Sequence, residues 1–148
     1  MAIEALRKVV EIEPKFGQAH IKLGFSYAHA GMPQEALHEM ERTRELMGDN
    51  IETLICRGYV YAVVGKADEA RGILREVLAL ASREGIKPYR VADIYAALGD
   101  REQAFAWLEK AYEARMVENE WLKVTPQMDN LRGDPRYTQL LRRVGLAD

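Results

Sequence analysis

The stretch that decides the fold is Tyr61-Ala-Val-Val-Gly65-Lys-Ala-Asp-Glu-Ala70. Its tyrosine, glycine and alanine recur at one constant spacing, before it at Tyr27, Gly31 and Ala36 and after it at Tyr95, Gly99 and Ala104. The glycine returns again as Gly133, and the alanine can be traced back to Ala2. A fixed period of about 34 residues is typical of stacked repeats and predicts a unit of two helices.

Composition restricts the class of protein. The chain has 148 residues, of which 48% are hydrophobic and 30% charged, with a net charge of −2. This is a globular composition without the basic excess of a nucleic-acid surface, so we expect no nucleic-acid partner. No apolar run has the length of a membrane span, and Cys56 as the single cysteine excludes an internal disulfide. We therefore expect a cytoplasmic protein without a membrane partner.

Apolar residues at helical spacing divide the chain into repeats. They predict helices over residues 1–13, 17–30, 33–47, 51–64, 67–83, 88–99 and 101–116, then a short helix at 118–124 and a last one from Asp134-Pro135 to Gly145. We interpret these as one domain with a partial repeat (1–16), three full repeats (17–50, 51–84 and 85–118) and a degenerate C-terminal cap (119–148). The chain opens in the middle of a repeat, so it could be a fragment of a longer protein.

Small residues explain how the helices of one repeat pack. The alanines at the recurring position, Ala36, Ala70 and Ala104, are expected where two antiparallel helices cross closely. Glycine at 24 and 58 serves the same approach from the other helix, although glycine inside a helix costs about 1 kcal/mol relative to alanine. The three tyrosines are expected to fill the seams between repeats.

These residues resemble the signature of the tetratricopeptide repeat family. Leu23-Gly24-x-x-Tyr27 with Ala36 matches it, as do Gly58-x-x-Tyr61 with Ala70 and Tyr95 with Ala104. His20 stands where tryptophan is common, and Arg57 where leucine is usual. The resemblance implies an all-α, right-handed α-solenoid of antiparallel helix pairs that acts as a protein–protein interaction scaffold, without catalysis.

The C-terminal stretch from Leu122 to Tyr137 is similar to the end of repeat regions in bacterial multidomain proteins. Such regions follow kinase, cyclase or winged-helix domains. The alternative function is therefore a regulatory or sensory segment of a larger bacterial signalling or transcription-regulator protein.

The resemblance also implies where a partner would bind, because in this family the first helix of each repeat lines a concave groove for a peptide or a partner helix. Residues opposite the packing face are then the candidates: Gln18, Ile21, Lys22, Phe25 and His29 in the first full repeat, Glu52, Ile55, Cys56, Tyr59 and Val63 in the second, and Tyr89, Arg90, Asp93 and Ala97 in the third. Phe25, Tyr59 and Tyr89 would form an aromatic floor. Alternatively, these rings are buried against the long helices or the cap.

No set of residues predicts catalysis, a cofactor or a metal. His20, His29 and His38 are evenly spaced in the sequence but do not share one helical face. Arg90 matches one position of the family's chaperone-tail clamp, but a surface ion pair with Asp93 is the simpler interpretation. Glu35, Glu39, Glu41 and Glu45 are expected on a solvated helix face. The first helix lacks a partner helix, which suggests self-association through its open side.

Overall fold

The structure is a computed structural model that describes residues 2–84, 88–113 and 131–143. Throughout these residues the regular structure is α-helical, so the all-α fold class is confirmed. The chain divides into two compact units, Met1–Arg83 and Glu84–Asp148. The helices are α1 (Ala2–Ile12), α2 (Gly17–His29), α3 (Pro33–Met47), α4 (Ile51–Val63), α5 (Ala67–Glu84), α6 (Pro88–Leu98), α7 (Arg101–Glu113) and α8 (Pro135–Arg143). The helix predicted at 118–124 lies outside the described residues.

The recurring glycines lie at the bends between paired helices, as predicted. Gly31, Gly65 and Gly99 have φ of 75°, 89° and 81°, a conformation that residues with a Cβ rarely adopt. The amide that follows each glycine donates to the carbonyl of the recurring tyrosine, over 2.9, 2.8 and 3.0 Å. This bond, together with one from the glycine amide, makes a Schellman motif. Tyrosine and glycine therefore recur together because they belong to one helix-ending motif.

In the first unit, the pair α2 and α3 packs at the small residues. A Cβ built on Gly24 would lie 2.4 Å from the Met40 Cε atom and 3.3 Å from the Glu39 Cβ atom. Ala36 is fully buried on the facing helix. Gly17, which sequence reasoning did not single out, has the same role at the start of α2, where a Cβ would lie 2.5 Å from the Met47 Sδ atom.

The turn between α3 and α4 explains the unusual arginine at position 57. Asn50 caps α4 in a reciprocal capping box with Thr53, each bond measuring 3.1 Å. The Arg57 guanidinium donates to the Asp49 carboxylate in the same turn over 2.9 Å, and its side chain is buried. The bond to Asp49 gives the buried Arg57 a charged partner.

The second unit packs α8 against α7. Its core contains Ala92 and Ala96 of α6, Ala104, Phe105 and Leu108 of α7, Leu131 before α8, and Tyr137 and Leu140 of α8. Asp134 caps α8 by accepting the Arg136 amide over 2.9 Å, and hydrogen bonds from Arg136 lower the pKa of Asp134 to about 2. Arg136 also donates to Glu102, which ties α8 to α7. The predicted helix start at Asp134-Pro135 is confirmed.

The buried alanine of α5 provides a direct test of the packing register. Ala70 is fully buried, whereas the preceding residue, Glu69, is exposed. We expect Ala70→Arg to lower the free energy of unfolding by about 3–5 kcal/mol, because it overpacks the crossing and buries an unpaired charge. Urea unfolding followed by circular dichroism measures this, with Glu69→Arg as the matched control. Equal midpoints for the two variants would contradict the register.

Candidate functional site

In the first unit, α2 and α4 are in contact and bring three aromatic side chains together, although the two helices belong to consecutive repeats. The rings of Phe25 and Tyr59 are 5.2 Å apart at a tilt of 54°, a favourable geometry for an aromatic pair. The Tyr59 hydroxyl lies 3.0 Å from His29 Nε2, within hydrogen-bond distance. We call Phe25, His29 and Tyr59 the aromatic cluster.

The predicted groove residues of the first unit separate by exposure. The polar candidates Gln18, Lys22, His29 and Glu52 are exposed to solvent. The aromatic ring of Phe25 is half-buried. The remaining apolar candidates Ile21, Ile55, Cys56 and Tyr59 are buried, and Val63 is half-buried. The Cys56 thiol lies 3.9 Å from Glu52 Oε1. A partner approaching this face would therefore meet Phe25 and a polar rim, with Tyr59 beneath.

In the second unit, α6 carries the other predicted residues. Tyr89, Arg90 and Ala97 are half-buried. Asp93 is only 6% exposed, and its Oδ1 atom has no hydrogen-bond partner in the part of the chain that the structure describes. Burial raises the pKa of Asp93 to about 8, against a smaller lowering by the Arg90 charge. The expectation that Asp93 lies at the surface was wrong, because its carboxyl is removed from water, although the Arg90 charge acts on it.

A buried polar pair joins α2 to α3. His20 Nδ1 lies 2.5 Å from Glu39 Oε2, and His20 Nε2 donates to the Pro14 carbonyl over 2.9 Å. Both side chains are buried, so the expectation that Glu39 lies on a solvated face was wrong. His20 thus connects the turn after α1 to α2. This contact gives His20, which stands where tryptophan was expected from the resemblance, a structural role.

Neither a metal site nor a membrane span is found among the described residues. There, no three or more His, Cys, Asp or Glu side chains form a group that could hold a metal ion. Of the helices in the same ranges, none combines the length and the apolar character that crossing a membrane requires.

Helix pairs at a constant period, closed by Schellman motifs and packed at small residues, define a helical-repeat protein. Residues 89–115 match the family model of the tetratricopeptide repeat, which confirms the predicted resemblance. The chain is also similar to the crystal structure of MamA, at a TM-score of 0.49 and 18% identity over 95% of this chain and 83% of that chain. No curated protein matches the sequence. The repeat match supports, in general terms, a protein–protein interaction scaffold.

Asp93 provides a pH-dependent prediction. The folded chain keeps a proton on this carboxyl up to about pH 8, whereas the unfolded chain releases it near the ordinary pKa of 3.8. The free energy of unfolding should therefore fall as pH rises through this window, by up to about 1.4 kcal/mol per pH unit. We expect Asp93→Asn to be more stable than the wild type at pH 8 by a few kcal/mol and nearly equal to it at pH 4.

Urea unfolding at several pH values measures this difference. Asp68→Asn, which removes an exposed carboxyl from the first turn of α5, is the control and should leave the pH dependence unchanged. A constant difference between Asp93→Asn and the wild type from pH 4 to pH 8 would show that Asp93 ionises normally in the folded chain.

Proposed function

We propose that the chain binds a peptide or a helix of another protein on the face formed by α2 and α4. The observation that supports this most directly is the aromatic cluster, which joins the first helices of two consecutive repeats. Half-exposed aromatic rings with polar surroundings are the usual anchors of protein interfaces. In the general scaffold role that the repeat match supports, this face is the candidate binding surface.

The cluster assigns different roles to its members. Phe25 is half-buried, so its ring can contact a partner, whereas Tyr59 is only 3% exposed and supports Phe25 from below. His29 holds the Tyr59 hydroxyl, which fixes this ring before a partner arrives. Lys22 on α2 and Glu52 on α4 are exposed and of opposite charge. The preferred ligand is therefore a segment with an apolar or aromatic anchor flanked by charges of both signs.

The contribution of α6 remains a prediction. Tyr89, Arg90 and Asp93 belong to the second unit, in which Tyr89 and Arg90 are half-buried and Asp93 is buried. We propose that Tyr89 and Arg90 extend the binding surface. Asp93 is buried and does not contribute to this surface.

Three further proposals come from the sequence. The chain could be a regulatory segment of a larger bacterial protein, which rests on the likeness of residues 122–137, largely outside the described residues. A cytoplasmic location also remains a proposal. Self-association through α1 is supported by its exposed apolar residues, since Ile12 is 80% exposed.

Selection from a displayed library of random peptides tests the binding face without knowledge of the partner. We expect peptides with an aromatic or large apolar residue to be enriched on the wild-type chain. Phe25→Ala should weaken the selected peptides at least tenfold, because a central aromatic anchor contributes about 2 kcal/mol or more. Isothermal titration of the best peptide measures this loss.

Tyr112→Ala is the matched control. It also removes a half-buried ring, but from α7, which is the second helix of its repeat and does not belong to the proposed face. It should leave peptide affinity unchanged. Tyr59→Phe should weaken binding less than Phe25→Ala, since it removes only the hydroxyl that pairs with His29. Peptides that bind Phe25→Ala as tightly as the wild type would exclude this face as the site.

A further inference from the structure

One buried histidine joins three consecutive segments of the first unit. His20 of α2 and Glu39 of α3 are 6% and 8% exposed. His20 Nδ1 lies 2.5 Å from Glu39 Oε2, and His20 Nε2 lies 2.9 Å from the carbonyl oxygen of Pro14 in the turn after α1. Each ring nitrogen therefore faces an oxygen atom at hydrogen-bond distance. We call the contact of His20 with Pro14 and Glu39 the histidine junction.

The chemistry of the two oxygen atoms determines how many protons the histidine junction holds. The Pro14 carbonyl can only accept a hydrogen bond, so Nε2 must carry a hydrogen. If the ring is neutral, Nδ1 has a lone pair, and only a protonated Glu39 can donate to it. If Glu39 is ionised, the ring must be an imidazolium with a second hydrogen on Nδ1. Both states contain one proton more than a neutral histidine beside an ionised glutamate.

Loss of this proton would break the histidine junction. The Nδ1 lone pair and an ionised Oε2 atom would then face each other without a hydrogen between them. Because both side chains are buried, neither atom could exchange its lost partner for water without a rearrangement of the helices, which is costly. The folded chain should therefore retain a proton that the unfolded chain releases between about pH 5 and pH 8, where an ordinary histidine loses its charge.

The other charged groups of the elements packed against α2 are exposed or paired. In α1 and the following turn all of them are exposed: Glu4, Arg7, Lys8, Glu11, Glu13 and Lys15. On α3 most are exposed, namely Glu35, His38, Glu41, Arg44 and Glu45, and Arg42 is bonded to Glu45. On α4, Glu52 is exposed and the buried Arg57 is bonded to Asp49. Glu39 is thus the carboxyl whose ionisation acts on the His20 ring.

We propose that the histidine junction is a pH-sensitive latch, which holds α2, α3 and the turn after α1 together by one proton and opens as pH rises. At about pH 5 and below, the unfolded chain also carries this proton, so the latch contributes its full stability. At higher pH, unfolding releases one proton, and the unfolding equilibrium constant then rises by up to about tenfold per pH unit. The latch lies outside the peptide-binding face and does not depend on it.

Glu39→Gln tests the number of protons in the latch. A glutamine amide can donate to Nδ1 of a neutral ring, so the variant needs no additional proton to close the junction. We expect the unfolding equilibrium constant of the wild type, divided by that of the variant, to rise about tenfold or more between pH 6 and pH 9. Urea unfolding at several pH values measures this ratio. Asp93 belongs to the second unit and is present in both chains, so its contribution cancels.

Glu35→Gln is the matched control, because it makes the same chemical change at an exposed position four residues earlier on α3. Its ratio to the wild type should stay constant over the same pH range. His20→Gln removes the titrating ring instead of the carboxyl and should show the same rise as Glu39→Gln. A ratio for Glu39→Gln that does not change between pH 6 and pH 9 would overturn the latch.

A measurement on the wild-type chain covers the case in which neither junction variant folds. Nuclear magnetic resonance of the His20 ring nitrogens and the Glu39 carboxyl carbon reports the protonation state of both groups. At pH 7 we expect either an imidazolium beside an ionised carboxylate or a neutral ring beside a neutral carboxyl. A neutral ring beside an ionised carboxylate would overturn the proposal, whatever the result of the peptide selection.

Discussion

The close approach of the two helices within a repeat is the constraint on which the rest of the structure depends. At Gly24 an added Cβ would displace the end of the Met40 side chain and would lie 3.3 Å from the Glu39 Cβ atom on the facing helix. Glycine inside a helix is unfavourable by about 1 kcal/mol relative to alanine, so the packing gained at this crossing must exceed that cost. The fully buried alanines Ala36, Ala70 and Ala104 repeat the arrangement along the chain. Because the first unit packs this closely, α2 also reaches α4, which is how Phe25 meets Tyr59.

Buried polar side chains form hydrogen bonds between neighbouring segments of this packing. His20 and Glu39 are both buried, and His20 also donates to the Pro14 carbonyl, so the pair connects α2, α3 and the turn after α1. Arg57 similarly connects α4 to Asp49 in the preceding turn. Loss of one partner would leave a buried polar group without its hydrogen bond, which is costly. Each pair thus joins a helix to the neighbouring helix or turn.

Much of the fold could be predicted from the sequence because the strongest signals are local. Glycine, proline and the repeat register determine where the helices end, and every helix that the structure describes lies within a few residues of its predicted range. The burial of Glu39 and Asp93 was missed because charge alone argues for solvent. Their positions in the repeat indicated burial, because Glu39 aligns with the buried Ile73 and Asp93 aligns with the buried Tyr59.

The candidate site was harder to predict than the fold. Periodicity places Phe25 and Tyr59 on the first helices, but it carries no information on which ring lies above the other. The contact of Tyr59 with His29 depends on the distance between two helices, and this distance follows from side-chain volumes across the packed repeats. Exposure of the individual groove residues is thus a property of the packed unit.

The short connections between paired helices have a consequence for how the chain folds. Only three residues separate α2 from α3, and three separate α4 from α5. Closing loops of this length has a small entropic cost, and the contacts that follow are between neighbours in the chain. Proteins dominated by such local contacts fold on the microsecond to millisecond scale. We therefore expect the paired helices to find one another quickly during folding.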